Sequence, residues 1–180
     1  YTNYGFNGNP FRYQHFLSAN YYFAFQAVEL EYEGIFANIF PHWNLEASGY
    51  FTSDSFANNF FGFGNDTFYN DDAVDRDFNR ARMQQIKADI GIAYKTFKVK
   101  ALFESFEVQE SPNRLFNPAT NTVNPDVYDM QNYAGVETSL MYRNQNAMDF
   151  PTKARHLELV LGYKSNIDNT DNAFGYAGAK

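Results

Sequence analysis

The chain has 180 residues, room for one domain or a piece of one, with a formal charge of −7, a pI near 4.9 and no cysteine. Its 14 Lys and Arg are scattered singly, which argues against phosphate and nucleic-acid binding; the absence of cysteine excludes disulfides, thiolate zinc sites and thiol nucleophiles and suits an oxidising compartment. Aromatics make up 19% of the chain while mean hydropathy stays at −0.53, so apolar and polar residues must alternate, and no stretch approaches the ~18 apolar residues of a membrane-spanning helix.

From Phe16 to Phe25 the residues Leu17, Ala19, Tyr21, Phe23 and Phe25 share one face, and Ser18, Asn20, Tyr22 and Ala24 the other. Ala27 to Phe36 continues the pattern, with Val28, Leu30, Tyr32, Gly34 and Phe36 opposite Ala27, Glu29, Glu31, Glu33 and Ile35. From His42 to Phe51, Trp43, Leu45, Ala47, Gly49 and Phe51 oppose Asn44, Glu46, Ser48 and Tyr50. Gln84 to Tyr94 sets Ile86, Ala88, Ile90, Ile92 and Tyr94 against Lys87, Asp89, Gly91 and Ala93. Phe97 to Val108 alternates less cleanly. Ala134 to Tyr142 places Val136 and Leu140 opposite Glu137, and His156 to Tyr163 places Leu157, Leu159, Leu161 and Tyr163 opposite His156, Glu158, Val160 and Gly162. A period of two is the signature of β-strands. Seven strands are readable, and Ala173 to Lys180 reads as an eighth, cut short.

Each apolar face is nine or ten residues long, matching the ~9–11 residues of a tilted strand that crosses a bilayer and exceeding the ~5–6 of ordinary strands. Aromatic residues cluster at the strand ends: Tyr21, Phe23 and Phe25; Phe36, Phe40 and Trp43; Tyr94 and Phe97; Tyr142 and Tyr163. Such positions suit an interfacial girdle. Two long connections, Thr52 to Arg82 and Gln109 to Asn132, are separated by a tight turn at Lys95 and Thr96, so strand parity puts both at one end. The Ala37 to Pro41 turn and the Arg143 to Ala154 segment join the Lys95–Thr96 turn at the other. The expectation is an all-β, antiparallel transmembrane barrel in a Gram-negative outer membrane, with the alternating apolar residues toward lipid. Glu29, Glu31, Glu33, Glu46, Lys87, Asp89, Glu137 and Glu158 then face the lumen, paired with lysines such as Lys98 and Lys100 or solvated.

No catalytic or cofactor constellation emerges. His15, His42 and His156 lie on different strands without the short spacings of a metal site. Asp66, Asp71, Asp72, Asp75 and Asp77 lack the glycine and terminal Glu of a calcium loop and read as a solvated loop; calcium-bridged contact with anionic lipid is the alternative. Gly62-Phe63-Gly64 lacks the third glycine and the βαβ setting of a nucleotide fingerprint.

Four segments carry a family resemblance: Ser18-Ala19-Asn20-Tyr21-Tyr22-Phe23, Leu30-Glu31-Tyr32-Glu33-Gly34, the stretch from Phe56 to Thr67 with Phe61-Gly62-Phe63-Gly64-Asn65 at its centre, and Asp149-Phe150-Pro151-Thr152-Lys153. The chain resembles the BamA/TamA-type outer-membrane surface-antigen barrels, and within them the Bacteroidetes members often fused to a calcineurin-like phosphoesterase. Phe150-Pro151-Thr152-Lys153 looks like that family's F-P-T-K-G turn, with Ala154 in place of the glycine. The family's R-G-F motif and terminal aromatic strand are absent. Because family barrels have about sixteen strands, the resemblance implies that residues 1–180 are a barrel segment whose N- and C-terminal parts lie elsewhere. It implies a role in assembling or translocating proteins or lipids at the outer membrane, with outer-membrane lipid, the rest of the barrel and other envelope proteins as partners. The alternatives are a barrel that anchors a fused metallophosphoesterase, and a small structural or adhesin barrel.

Overall fold

The alternating segments pair into one antiparallel sheet in the computed structural model, which describes residues 1–3, 11–61, 75, 77–117, 125–146 and 152–180. Its strands are β1 (Thr2–Asn3), β2 (Tyr13–Tyr22), β3 (Ala27–Phe40), β4 (Trp43–Thr52), β5 (Ala57–Asn59), β6 (Arg80–Tyr94), β7 (Phe97–Gln109), β8 (Gln131–Gln145), β9 (Ala154–Asn166) and β10 (Ala173–Ala179). They lie side by side as β1-β2-β3-β4-β6-β7-β8-β9-β10, with β5 paired to the start of β6. The all-β antiparallel expectation holds, and among the described residues the sheet is not closed.

The eight expected strands are present, and β1 and β5 bring the total to ten. Several boundaries move. β2 stops at Tyr22 and residues 23–26 form a turn, with Gln26 at φ 54°. Phe23, expected among the lipid-facing strand residues, is therefore a turn residue and not part of a strand. Its ring packs on Tyr21, whereas Phe25 stacks on Tyr22 and meets Phe56. β3 runs on to Phe40 through a register shift after Phe36, so the expected turn at 37–41 is mostly strand. Phe40 pairs with Trp43, leaving Pro41 and His42 as the turn. Pro presets φ for the first turn position and His42 adopts φ 71° at the second, the pattern of a type II turn.

β4–β6 and β7–β8 are joined by residues 53–79 and 110–130, both at one end; the turns at Pro41–His42 and Lys95–Thr96 and the 146–153 connection share the other. The two long connections touch: Leu115 N–H donates to the Phe78 carbonyl (2.9 Å), and the Phe60 and Phe116 rings lie 5.4 Å apart. A 3-10 turn, Pro125–Tyr128, closes the second of them, and the Tyr128 hydroxyl is enclosed without a hydrogen-bond partner among the described residues. Since a buried donor without a partner is costly and its removal is not, Tyr128→Phe should leave the unfolding midpoint unchanged or raise it; a clear fall in a denaturant titration would contradict this.

What the sheet lacks is a conventional core. Among the described residues the buried apolar side chains are Ala27, Ala81 and Leu102. The chain exposes 12857 Å², against about 8,900 Å² for a folded globular monomer of this mass. A single layer leaves both sheet faces open, and the two are chemically opposite.

Candidate functional site

On the apolar face the register aligns large side chains in rows across the strands. One row runs Trp43, Tyr94, Phe97, Leu140, Leu159; the next runs Phe36, Leu45, Ile92, Val99, Thr138, Leu161; a third runs Ala47, Ile90, Ala101, Val136, Tyr163. Leu17, Ala19, Tyr21, Val28, Leu30, Tyr32, Phe51, Ile86 and Leu157 belong to the same face by register. Leu17 is 75% exposed, Leu161 62%, Ile90 54% and Val136 54%. Water-soluble monomers rarely expose contiguous apolar patches of more than a few hundred Å², and here exposed apolar side chains follow one another across neighbouring strands.

The apolar band is bounded at both ends. Arg82 and Gln84 precede Ile86 on β6, while Ser105 and Glu107 follow Phe103 on β7; on β9, Arg155 precedes Leu157 and Ser165 follows Tyr163. From Ile86 to Tyr94 the band covers nine residues, about 23 Å in height once the ~3.3 Å rise is tilted by ~40°, close to the ~25 Å apolar belt of membrane barrels. The band also drifts against the register. Its last apolar residue toward the long connections is Tyr21 on β2, Phe51 and Ile86 on β4 and β6, Phe103 on β7 and Tyr163 on β9. Each of these steps moves the boundary down by one row, and Ile86 already faces Ser105. Over the sheet this is about one residue per strand, which at ~3.3 Å rise and ~4.8 Å strand spacing corresponds to strands tilted ~35° from the band's normal.

Aromatic rings sit at the band's margins. Trp43 and Tyr94 contact at 5.0 Å beside the tight turns, with Lys95 Nζ 5.2 Å from the Tyr94 ring. Tyr32 carries the one feature there that alternation did not suggest: its ring folds over Gly34 and its hydroxyl meets His15 Nδ1 at 2.9 Å.

The polar face is laced together. Lys98 pairs with Glu46, Lys100 with Glu137 (3.1 Å) and Lys164 with Glu104 (2.8 Å). Tyr176 donates to Glu137 (2.7 Å), and Lys164 Nζ lies 5.4 Å from its ring. Glu29 accepts from Tyr22 (2.7 Å), Asn20 (3.0 Å) and Tyr50 (2.9 Å); Ser48 donates to Asp89; Lys87 Nζ lies 5.8 Å from the Tyr50 ring. Glu31 and Glu33 are exposed. All eight residues expected to face a lumen are on this face by register. Lys98 and Lys100 are the lysines that pair with them, whereas Glu29 is held by hydroxyl and amide donors and not by lysine.

Three polar-face glycines make the long reaches possible. Glu46 and Lys98 meet across Gly91 on β6, Lys164 and Glu104 across Gly135 on β8, and Glu137 and Tyr176 across Gly162 on β9. A Cβ at Gly162 would strike the Tyr176 ring, one at Gly135 would press on Lys164 Cγ, and one at Gly91 would strike Lys100 and the Val99 carbonyl. Sequence reading missed Glu104, Lys164 and Tyr176, because which strands they bridge depends on register as well as on face.

Of the resemblance motifs, Phe61 is exposed, and Gly62, Phe63, Gly64 and Asn65 lie outside the described residues, as do Phe150 and Pro151. Thr152 accepts from the Asn146 amide (2.7 Å) and Lys153 N–H donates to Asn146 Oδ1 (2.9 Å), closing the β8–β9 connection. Asp66, Asp71 and Asp72 are likewise outside; Asp77 pairs with Arg80 (2.9 Å), both partly exposed. Among the described residues no three His, Asp or Glu side chains converge as metal ligands, and no helix is long and apolar enough to cross a membrane. Comparison with protein-family models, curated proteins and solved structures finds no match to the chain.

Proposed function

We propose that this chain is a stretch of wall of a transmembrane β-barrel in the outer membrane of a Gram-negative bacterium. In this reading the barrel is of the BamA/TamA surface-antigen type and acts in assembling or translocating proteins or lipids there. The observation that carries the membrane reading is the exposed apolar band, whose height and drift across the register fit strands inclined in a bilayer. Lipid on that band recovers about 25 cal/mol for each Å² of apolar surface removed from water, while the laced polar face meets the lumen. The assembly role rests on the motif resemblance. Such a barrel works through its wall and the bilayer around it, which suits a polar face tied together by three ion pairs and by hydrogen bonds.

Orientation supplies the experiment. The chain has no cysteine background, so Ser55→Cys in the first long connection and Thr96→Cys in a tight turn report the two ends separately. A membrane-impermeant maleimide should label the first on intact cells and the second only after the outer membrane is opened. Equal labelling of both on intact cells would sink the proposal. Depleting the protein should lower the amount of other folded barrels, or of lipid, in the outer membrane; unchanged levels would leave the wall without the assembly role.

A further inference from the structure

Among the described residues the two ends of the sheet carry opposite charge. At the tight-turn end, in residues 11–14, 37–44, 95–96, 143–146 and 152–156, the Lys and Arg side chains are Arg12, Lys95, Arg143, Lys153 and Arg155, and there is no Asp or Glu. The connections at the other end, residues 53–61, 110–117, 125–130 and 167–172, are acidic apart from Arg114, with Asp54, Glu110, Asp126, Asp129 and Asp168 among them. A cationic rim therefore borders the apolar band on the tight-turn side alone.

Part of that rim is hollow. Asn144, Asn146, Thr152, Lys153, Ala154 and Arg155 line an open cleft of about 550 Å³ where β8 passes into β9. None of them is acidic, and neither Lys153 nor Arg155 has an ion pair or a side-chain hydrogen bond among the described residues. Asn146 holds the Lys153 backbone at both groups: Lys153 N–H donates to Asn146 Oδ1 (2.9 Å), and the Lys153 carbonyl accepts from Asn146 N–H (3.1 Å). Thr152 Oγ1 accepts from the Asn146 amide, which leaves its own O–H to donate. Arg155 lies opposite Asn144 in the register, and Leu157 opposite Tyr142. The first pair is two residues, about 7 Å along the strands, nearer the tight-turn end. Leu157 and Tyr142 are exposed, and Asn144 donates to the Tyr142 hydroxyl (3.3 Å). Unspent cations and neutral donors thus meet directly below an exposed apolar column, the order in which a phospholipid presents its phosphate and its acyl chains.

We propose that this cleft binds the phosphate of an anionic phospholipid headgroup. Lys153 and Arg155 supply the charge, the Thr152 hydroxyl and the Asn144 amide donate beside them, and the acyl chains lie along Tyr142, Leu157 and Leu159. The inference rests on the membrane reading above and adds selection to it: the apolar band accepts any acyl chain, whereas the cleft chooses a headgroup by its charge. To test it, the full-length protein in detergent is titrated with dioctanoyl phosphatidylglycerol or dioctanoyl phosphatidylcholine, and bound lipid is counted by native mass spectrometry. One phosphatidylglycerol should bind about tenfold more tightly than phosphatidylcholine. Lys153→Gln with Arg155→Gln should abolish that preference, and Lys153→Arg with Arg155→Lys should keep it. Arg12→Gln with Lys95→Gln removes the same charge from the same end but outside the cleft, and should leave the preference unchanged. Equal binding of the two lipids overturns the proposal. So does an equal loss in the two glutamine variants, because the rim then acts as diffuse charge. Displacement of the lipid by millimolar inorganic phosphate overturns it as well, since the cleft then takes a free anion. If the maleimide labelling comes out as expected while the two lipids bind alike, the cleft alone falls; if the labelling fails, the membrane reading falls and this inference with it.

Discussion

Arginine at Ile90 or Leu159 should destabilise the folded protein in a bilayer by about 2–4 kcal/mol, the cost of a guanidinium near the midplane on the lipid side of a barrel. Ile90 lies between Ala47 and Ala101 in the row that ends at Tyr163, and Leu159 lies between Leu157 and Leu161 within the β9 band. Neither has a carboxylate beside it on the apolar face. The control matters. Glu46 looks equivalent to Glu158 by alternation, but Glu46 is paired with Lys98, so arginine there breaks an ion pair and sets two cations together. Glu158→Arg lacks that complication and should stay within about 0.5 kcal/mol of the parent. Denaturant unfolding in lipid vesicles measures all three. If Ile90→Arg and Leu159→Arg cost no more than Glu158→Arg, the apolar face does not meet lipid.

The faces were legible in the sequence because side-chain direction in a strand has a period of exactly two residues, so Glu29, Glu31 and Glu33 could be placed opposite Leu30 and Tyr32 without knowing any partner. Element ends were less legible for the same reason: Phe23 continues the alternation begun by Leu17, and only the backbone conformation at Gln26 ends the strand before it. β1 and β5, of two and three residues, are too short to show a period. Beyond the pairing with Lys98 and Lys100, the network on the polar face was out of reach because Lys164 meets Glu104 and Tyr176 meets Glu137 two strands away. Those meetings depend on register and on glycines whose closeness to a neighbouring strand's atoms alternation does not show. The downward drift of the band across the strands is invisible until the register is known, yet it is the feature that separates a tilted membrane wall from a flat amphipathic sheet.

Gly135→Ala should cost about 1–3 kcal/mol, the range for forcing extra volume into a packed position. A Cβ there would meet the backbone carbonyl of Tyr163 and lie 3.0 Å from Lys164 Cγ. Backbone cannot swing aside as a side-chain tip can, so β8 and β9 must separate or Lys164 must shift off Glu104. Gly91→Ala meets the same obstacle, with its Cβ 2.6 Å from Lys100 Cβ and 2.5 Å from the Val99 carbonyl. Gly178→Ala, also on the polar face, has nothing within 4 Å and should be neutral or slightly stabilising, since Ala loses less conformational entropy than Gly on folding. Combining Gly135→Ala with Glu104→Gln then separates crowding from the lost ion pair. If the alanine acts by displacing Lys164, removing the Glu104 charge costs less in the Gly135→Ala background than in the parent, a coupling readable in unfolding midpoints as a departure from additivity of about 0.5 kcal/mol or more. Strict additivity would mean that the glycine's role is backbone spacing alone, and a silent Gly135→Ala would remove the claim that these three glycines open the path for the cross-strand pairs.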